Sequence, residues 1–401
     1  MSGRRQAVVA VLAAVAVGVC GRADEPATAP ADAWPMARGC VEGTGVSAAG
    51  LGLPLVEAWH REFDGTAFGA AAVIAGGVVY VGDLDGTFHA VALADGTDRW
   101  SFTAPDAGFS SAAAVGRGGD TSIVVVGDDA GVVRAFDAGS GAVRWSHEMQ
   151  GEVSGGPTIL EEPAGGRVLV GSQDASLVCL DLLTGELLWR HEIADQIRCS
   201  PTVARTTAGD RVFLAGCDGR LHVIDVATGT ETAAVPIDGP TGTTPASQGD
   251  RVFFGTEGGV FFAIDVVKAE VAWRAAASAA GQSYRSSAAL AAGLAIVGFR
   301  GRAIEGFSTA DGSRAWKQPM RGRVEASPAV ATMTGPEGAA ARPVAIVADS
   351  AGRIAGLDAA TGGVVWEFDA GGGFGGGATV AAGRVVLASD DGILWCFRSG
   401  D

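Results

Sequence analysis

The feature that most constrains this chain is a repeated unit, which is clearest at residues 168–190. A short apolar run ends in a polar turn at residues 173–175, a second run leads to Asp181, and a third run after Thr184-Gly185 ends at Trp189. Short apolar runs that are separated by turn residues are typical of β-strands joined by tight turns. The unit therefore predicts three consecutive antiparallel strands.

Tryptophans mark the end of the unit at intervals of forty to fifty residues, with one interval of about twice that length. The doubled interval skips one repeat at residues 231–236, which follow Thr228-Gly229 as Trp189 follows Thr184-Gly185. Eight units of this length predict a propeller of four-stranded blades. A buried indole supplies apolar area and a donor for a backbone carbonyl, so we expect the tryptophans to dock neighbouring blades. The strand-borne tryptophans are Trp59, Trp100, Trp145, Trp189, Trp273, Trp316 and Trp366.

Turns inside the units give the same count of eight, with Asp85-Gly86 and Asp218-Gly219 as examples. Asp-Gly supplies the positive backbone angles that a two-residue hairpin turn needs. The last apolar run, at residues 393–397, has no outer strand after it, and the run that holds Trp59 has no inner strands before it. The sequence therefore predicts an all-β, eight-bladed β-propeller of four-stranded antiparallel blades over residues 56–401, closed by N- and C-terminal strands.

The first 55 residues differ from the repeats. Residues 1–23 are typical of a signal peptide, because Arg4 and Arg5 precede an apolar run of signal length at residues 7–19. Cys20 allows a second interpretation, in which this cysteine is lipidated. Lipoprotein signals usually have a small residue just before the cysteine, and here that residue is Val19, so ordinary cleavage nearby is favoured. Residues 24–55 are rich in Ala, Pro and Gly and are predicted to be a linker and lead-in arm.

Composition excludes some partners. The net charge of -16 and the isoelectric point near 4.7 disfavour nucleic acid and direct attraction to an anionic membrane. Six cysteines occur without a Cys-x-x-Cys pair, so no metal site is predicted. Cys199 and Cys217 lie on two predicted antiparallel strands. They are either a disulfide across the hairpin or two buried free thiols, and we favour the thiols.

The pattern Gly-x-x-Asp-Gly-x-x-x-x-Ile/Leu-Asp-x-x-Thr-Gly-x-x-x-Trp is visible at residues 216–229, where Gly216 stands one residue closer to Asp218 and the final Trp is missing, and, with an altered turn, at residues 171–189. It resembles the tryptophan-docked repeat of the PQQ-like β-propellers. Residues 34–47 also resemble the arm that precedes such propellers in exported bacterial proteins. The resemblance implies a fold and leaves the function open, since that family includes quinone-dependent alcohol dehydrogenases and BamB-type lipoproteins that bind partners without a cofactor.

Candidate site residues come from aligning the innermost strands of the predicted blades. One aligned position is mostly small, as expected where eight strands converge, and is charged at Arg198, Arg285 and Glu325. Arg285 and Glu325 fall on adjacent blades and are expected to pair across the channel mouth. Two interpretations follow. The three residues form a pocket that binds an anionic ligand or a partner's side chain, or they form a salt-bridged channel lining that needs no ligand.

The resemblance also implies what a quinone enzyme would need: calcium held by acidic and amide ligands, a stacked tryptophan, and often a disulfide between adjacent cysteines. The chain has no Cys-Cys pair, and its five histidines show no catalytic cluster in sequence. We therefore expect no catalytic residues and no cofactor. We expect a monomeric, non-enzymatic scaffold that binds another exported or envelope protein in the periplasm or cell envelope, and meets a membrane only through a lipid anchor. The alternatives are an oxidoreductase that uses PQQ with calcium, and a periplasmic ligand-sensing propeller.

Overall fold

The structure is a computed structural model that describes residues 26–163, 165–335 and 340–400. The predicted signal peptide at residues 1–23, with Arg4, Arg5 and Cys20, lies outside the described residues. Across the described ranges the chain folds into β-strands. No helix there is long and apolar enough to cross a lipid bilayer.

The predicted eight-bladed propeller is confirmed: eight four-stranded antiparallel sheets follow one another along the chain. We label the blades A to H. Strands β1 (Val46–Gly52) and β2 (Leu55–Glu62) precede blade A. Blade A holds β3 (Val73–Ala75), β4 (Val78–Gly82), β5 (Thr87–Ala92) and β6 (Asp98–Thr103), and blade B holds β7 (Ala114–Gly118), β8 (Thr121–Gly127), β9 (Val132–Asp137) and β10 (Val143–Glu148). Blade C holds β11 (Thr158–Glu162), β12 (Gly165–Gly171), β13 (Ser176–Asp181) and β14 (Leu187–Glu192), and blade D holds β15 (Thr202–Thr206), β16 (Gly209–Ala215), β17 (Arg220–Asp225) and β18 (Glu231–Pro236).

The remaining blades repeat this order from the innermost to the outermost strand. Blade E holds β19 (Ala246–Gln248), β20 (Arg251–Gly255), β21 (Val260–Asp265) and β22 (Glu270–Ala276), and blade F holds β23 (Ala289–Ala291), β24 (Leu294–Phe299), β25 (Ala303–Ser308) and β26 (Arg314–Pro319). Blade G holds β27 (Ala329–Thr334), β28 (Arg342–Ala348), β29 (Arg353–Asp358) and β30 (Val364–Asp369), and blade H holds β31 (Thr379–Ala381), β32 (Arg384–Ala388) and β33 (Ile393–Ser399) together with β2.

Blade H closes the ring. Strand β2 pairs antiparallel with β33, from Leu55 opposite Ser399 to Glu62 opposite Ile393. The fourth strand of the last blade therefore comes from the N-terminal part of the chain, as predicted. Joining the two ends in one sheet removes the free sheet edge that an open ring would expose.

The core lies in the seams between blades. The second and third strands of each blade are almost continuously buried, as β13 shows, whereas outer strands such as β14 alternate between exposed and partly exposed residues. A strand covered on both faces reads as a continuous apolar run, and this explains the runs in the sequence. The seams are thus the main source of hydrophobic stabilisation.

Seven seams are docked by the seven predicted tryptophans. Each indole Nε1–H donates to a backbone carbonyl of the following blade, and at six seams the ring covers the glycine of that blade's outer turn. The acceptors are Leu93 for Trp59, Ala138 for Trp100, Leu182 for Trp145, Val226 for Trp189, Thr309 for Trp273, Ala359 for Trp316 and Leu55 for Trp366, at 2.9–3.1 Å.

The arm at residues 26–54 is more than a linker. Its backbone passes the innermost segments of the blades in turn and bonds to seven of them. Strand β1 also adds to the inner edge of blade G by parallel pairing with β27. The bonds are Ala31 to Ala382 in blade H, Trp34 to Ile74 in A, Pro35 to Val115 in B, Val41 to Val203 in D, Glu42 to Ser247 in E, Thr44 to Leu290 in F and Gly45 to Val330 in G.

One charged side chain fixes this arm from inside. The guanidinium of Arg38 is buried and donates to the carbonyls of Ala288 and Pro328, at 2.9 and 2.7 Å, which lie before the inner strands of blades F and G. Burial lowers the pKa of Arg38 to about 10, and the nearby Cys40 partly offsets this. A small void of about 10 Å³ lies beside the arm, lined by Met36, Arg38 and Thr202 among others.

Candidate functional site

The open end of the channel, which we call the mouth, is built from two sets of loops. One set leads from the outer strand of a blade to the inner strand of the next, and the other joins the second and third strands of each blade. In six of the seven blades that it contacts, the arm bonds to the residue five positions beyond the mouth position, as Val115 lies beyond Ser110. In blade H it bonds to Ala382, seven positions beyond Gly375. The mouth positions and the arm therefore meet different parts of the inner segments.

Backbone hydrogen bonds join the mouth loops into a ring. The loop between blades A and B shows the pattern: Phe109 N–H donates to Asp83 in the turn of blade A, and Gly108 accepts from Asp129 in the turn of blade B, at 2.8 and 2.9 Å. Equivalent pairs recur around the ring. The mouth is therefore a preformed surface whose loops hold one another in place.

Arg198, Arg285 and Glu325 lie on this ring, but Arg285 and Glu325 pair with other residues. Arg285 Nη2 lies 3.3 Å from Glu257 Oε1, and Arg300 Nε lies 2.8 Å from Glu325 Oε1. Glu257 and Arg300 stand in the turns between second and third strands, which the alignment of inner strands left out. Those turns reach over the mouth and satisfy the charges locally, so the expected pairing across two blades does not form.

Arg198 is held within its own loop, where its Nε and Nη2 donate to Gln196 Oε1 at 3.0 and 2.6 Å. Its charge also acts on Glu152 in the neighbouring loop. Burial, and then Asp129, raise the pKa of Glu152, while Arg198 and a hydrogen bond from Ser110 lower it. The carboxylate of Asp129 in turn accepts from Ser110 Oγ at 2.5 Å.

Asp390 is the acidic counterpart on blade H. Its carboxylate accepts the Gly375 N–H at 2.8 Å. Burial raises the pKa of Asp390, the Gly375 bond opposes this, and Asp391 and Glu325 raise it further. Arg285 and Glu325 thus pair sideways along the ring, whereas Asp390 is held by a backbone N–H beside the like charges of Asp391 and Glu325.

The aligned positions of the mouth loops and turns hold no aromatic ring on which a quinone would stack. The residues of the two rings, all of them described, are Gly69, Ser110, Ser154, Arg198, Gly242, Arg285, Glu325 and Gly375 in the loops and Leu84, Asp129, Gln173, Cys217, Glu257, Arg300, Ser350 and Asp390 in the turns. Seven of the nine tryptophans dock blades, Trp34 lies in the arm, and Trp395 lies in β33. These positions therefore lack the stacked tryptophan that the resemblance implies for a quinone enzyme.

Cys199 and Cys217 are free thiols in this structure, not a disulfide. Cys199 is buried in the seam and its Sγ donates to Ala215 at 3.4 Å, whereas Cys217 points to the mouth and donates to Thr241 at 3.7 Å. Burial raises the pKa of Cys199 to about 12. The register of β15 with β16, continued beyond Thr202 and Phe213, sets position 199 opposite position 216. Cys217 therefore stands one residue out of line with Cys199.

Sequence reasoning missed two features of the surface. Histidines on different blades, His191 and His222, meet with Glu231 at one seam. Large aliphatic side chains are exposed on blade C, where Leu187 and Leu188 are about half exposed. The exposed pair was visible in the sequence, since the same two positions hold Asp98 and Arg99 in blade A. The histidine cluster needed the alignment of neighbouring blades.

Known proteins share this architecture. The family described as "Outer membrane protein assembly factor BamB" matches residues 129–208, 203–329 and 300–401. Among solved structures, BamB from Moraxella catarrhalis is 18% identical with a TM-score of 0.66, over 86% of this chain and 99% of that chain. A europium-containing methanol dehydrogenase is 12% identical with a TM-score of 0.69, over 92% of this chain and 98% of that chain.

Quinohemoprotein alcohol dehydrogenase from Comamonas testosteroni is 14% identical with a TM-score of 0.69, over 92% of this chain and 82% of that chain. No curated protein matches the chain in sequence. At identities this low, the solved structures share the fold, and they include both an assembly factor and dehydrogenases. The choice between these functions therefore rests on the residues of this chain.

Proposed function

The chain belongs to the family of the outer membrane protein assembly factor BamB, whose members are PQQ-like β-propellers, and from this premise we propose that it is a non-enzymatic, protein-binding scaffold of the cell envelope. Export by residues 1–23, with cleavage near Cys20 or its lipidation, is part of the proposal. The partner is another envelope protein, and the ring itself acts as a monomer.

The observation that carries the proposal is an apolar edge on blade C. Leu183, Leu187 and Leu188, which we call the leucine edge, are 40%, 50% and 49% exposed. They lie in the turn before β14 and in β14 itself, the outermost strand of its sheet. Exposed apolar groups beside an unpaired strand edge are a typical contact surface for another protein, because water solvates them poorly.

Blade C exposes more large aliphatic side chains along this edge than the other blades do. The positions of Leu187 and Leu188 hold Asp98 and Arg99 in blade A and Glu231 and Thr232 in blade D. Blades B, E and G expose a valine at the first position only, Val143, Val271 and Val364. Charged residues on outer strands discourage contact with other chains. The two leucines therefore single out blade C, and a partner that offers its own apolar side chains would gain from covering them.

The mouth supports the same proposal indirectly. Arg285 and Glu325 are engaged with Glu257 and Arg300, and the arm fills the channel below. A small-molecule site usually combines an apolar cavity with a few unpaired polar groups. The mouth has the character of a rigid polar surface, and this favours a scaffold over a ligand sensor or a quinone enzyme.

The leucine edge is tested by photocrosslinking in cells. A photoreactive residue at position 188 is expected to yield a discrete crosslinked envelope protein, and Leu187→Asp in the same chain is expected to abolish it. The matched control carries the photoreactive residue at position 99, the equivalent place in blade A. Equal crosslinking at both positions, or none at position 188, would contradict the leucine edge as the contact.

Two further measurements separate the alternatives. Calorimetric titration with PQQ and calcium is expected to show no binding, and micromolar affinity would overturn the non-enzymatic proposal. The double variant Arg198→Ala and Arg285→Ala is expected to keep the crosslink at position 188, whereas a ligand sensor built on the mouth would lose its ligand.

Mass spectrometry of the mature N-terminus decides between cleavage and lipidation at Cys20.

A further inference from the structure

The seam between blades C and D brings together two imidazoles and a carboxylate, which we call the C/D cluster: His191, His222 and Glu231. Their nearest ligand atoms all lie within 4.8 Å of one another. Glu231 Oε2 lies 2.6 Å from His222 Nδ1 and 3.7 Å from His191 Nε2. It is the one group of this kind within the described parts of the chain.

The repeat itself places these residues. Trp189 docks β14 on blade D through Val226, and the residue two positions later, His191, then faces the same seam. His222 is the third residue of β17, and Glu231 begins β18 of the same blade. The imidazoles of His191 and His222 meet edge to face with their centroids 6.3 Å apart. The cluster is therefore held by two blades that the Trp189 indole fixes against each other.

His222 is oriented as metal-binding histidines usually are. Its ring is 5% exposed, and its Nε2 lies 3.0 Å from the carboxylate of Asp218. A carboxylate on one ring nitrogen fixes the tautomer and turns the other nitrogen toward the ligand position. Here that leaves Nδ1 directed at Glu231 and the neighbouring His191.

His191 supplies a second, independent observation, which is a ring nitrogen without a hydrogen-bond partner. Its Nε2 is buried and has no hydrogen-bond partner among the described residues. A buried polar atom without a partner costs free energy, so native structures rarely leave one. A cation between the three groups would satisfy this nitrogen, and it would take the place of the hydrogen bond that joins His222 Nδ1 to Glu231.

We propose that the C/D cluster binds a divalent first-row transition-metal ion, with zinc as the ion to test first. Two imidazoles and one carboxylate form a donor set that suits Zn²⁺. A tetrahedral Zn²⁺ holds its ligand atoms about 3.3 Å apart. The contact of Glu231 with His222 would therefore open from 2.6 Å, and that of Glu231 with His191 would close from 3.7 Å. The Glu231 side chain is 35% exposed, so an ion would reach the cluster from the Glu231 side, since His191 Nε2 itself is buried.

Such an ion would connect two blades, since His191 comes from blade C and both other ligands from blade D. Binding to the folded ring alone would stabilise it by mass action. The net charge of -16 adds no general repulsion against a cation. The inference is independent of the proposed partner binding, since it concerns the seam and makes no use of the leucine edge.

Other blades provide matched controls. His147 occupies in blade B the strand position that His191 has in blade C, and His89 occupies in blade A the position of His222. His89 also has its carboxylate, Asp83, at 2.9 Å, but an aromatic ring, Phe63, stands beside it with the centroids 4.6 Å apart. These two histidines therefore share the repeat geometry without a second imidazole.

The test is calorimetric titration of ZnCl₂ into the whole chain after chelator treatment. We expect one ion per chain with a Kd in the micromolar range or below. His191→Ala and His222→Ala are each expected to weaken binding at least tenfold, and Asp218→Asn about tenfold. His147→Ala and His89→Ala are expected to bind as the unaltered chain does.

Two spectroscopic measurements complete the test. Co²⁺ in place of Zn²⁺ is expected to give visible absorption of a low-coordinate N,O site, and Zn²⁺ is expected to raise the Tm of the unaltered chain but not of His191→Ala. Should His222→Ala fail to fold, the His191→Ala variant still decides the matter, because the His191 side chain is more exposed than that of His222, at 16% against 5%. Absence of saturable binding, or equal losses in His147→Ala and His89→Ala, would overturn the proposal.

Discussion

The seam between blades D and E differs from the other seven, and the difference shows how the ring is held together. At the other seams a tryptophan of one blade donates to a carbonyl of the next. At the D/E seam the tryptophan position holds Ala233, and the outer turn of blade E holds Ala269 where six other turns have glycine. The tryptophan and the glycine are therefore lost together.

The reason lies in the space between ring and turn. A Cβ on Gly185 would lie 2.7 Å from the Trp145 ring, and one on Gly312 would lie 2.5 Å from the Trp273 ring. Ala269 keeps the left-handed backbone angle, with φ of 55°, but has no indole above it. Glycine in these turns thus serves two purposes, the backbone angle and the room for the indole.

Blade E compensates with other apolar groups. Phe254 and Phe262 stack at 5.9 Å and belong to the cluster that joins blades D and E. At the mouth, the turn of blade D reaches the next loop through the Cys217 thiol and Thr241, where other seams use a backbone N–H. A repeat architecture can thus replace one docking device by packing elsewhere in the same seam.

The largest effect is expected from removing a docking tryptophan. Trp145→Ala is expected to lower the free energy of unfolding by about 3–5 kcal/mol, because it empties a buried site and leaves the Leu182 carbonyl without its donor. Urea denaturation measures the loss. The control Ala233→Gly alters the same repeat position in the D/E seam and is expected to cost at most about 1 kcal/mol. Similar losses in both variants would mean that the tryptophans do not distinguish the seams.

A smaller loss is expected from Gly185→Ala. The added Cβ meets the Trp145 ring at 2.7 Å, and the backbone there has φ of 74°. Together these are expected to cost about 1–3 kcal/mol in thermal or urea unfolding. Gly119→Ala provides the control, because its φ is 64° and no atom lies within 4 Å of the added Cβ. The difference between the two variants isolates the contact with the indole, and equal costs would rule that contact out.

The tryptophan–glycine contact that the D/E seam lacks can also be introduced there by substitution. Ala233→Trp alone is expected to destabilise the ring, because its indole would meet the Ala269 methyl group, while Ala269→Gly alone is expected to be near neutral or slightly stabilising. The double variant is expected to recover about 1–2 kcal/mol beyond additivity. A double-mutant cycle from urea denaturation checks this, and strictly additive effects would refute the paired loss.

The fold could be predicted from the sequence because its determinants are local and repeated. Trp189 and Gly185 mark the docked seam, and Asp-Gly pairs mark the hairpins. The apolar runs at the two ends of the repeats, each of which lacks the other strands of a blade, predict the closing blade. The arm could not be predicted in this way. Val41 and Glu42 contact blades D and E through backbone carbonyls, which leave no side-chain pattern in the sequence.

The site was less accessible to sequence reasoning, because it depends on distances between repeats. Alignment of inner strands found Arg285 and Glu325 but not their partners Glu257 and Arg300, which stand in a different set of loops. His191 and His222 were treated as separate repeat positions. They meet because the second residue after a docking tryptophan faces the third residue of the third strand in the next blade.

The smallest effect is expected from Glu42, where the arm crosses the D/E seam. Burial raises the pKa of its carboxyl, while a backbone hydrogen bond and one with Cys40 oppose this. Because the pKa of Glu42 is raised above its unfolded value, near 4.5, ionisation of this carboxyl disfavours the folded state. The contribution of the protonated carboxyl to stability is therefore present at lower pH and is lost as pH rises through the folded pKa. Glu42→Gln is therefore expected to gain stability relative to the unaltered chain as pH rises from 4 to 7. Urea denaturation across this pH range measures the gain, and Glu148→Gln, at an exposed position, is the control. A parallel pH dependence of the free energy of unfolding in both variants would show that burying the Glu42 carboxyl costs no stability where the arm spans the seam without a tryptophan.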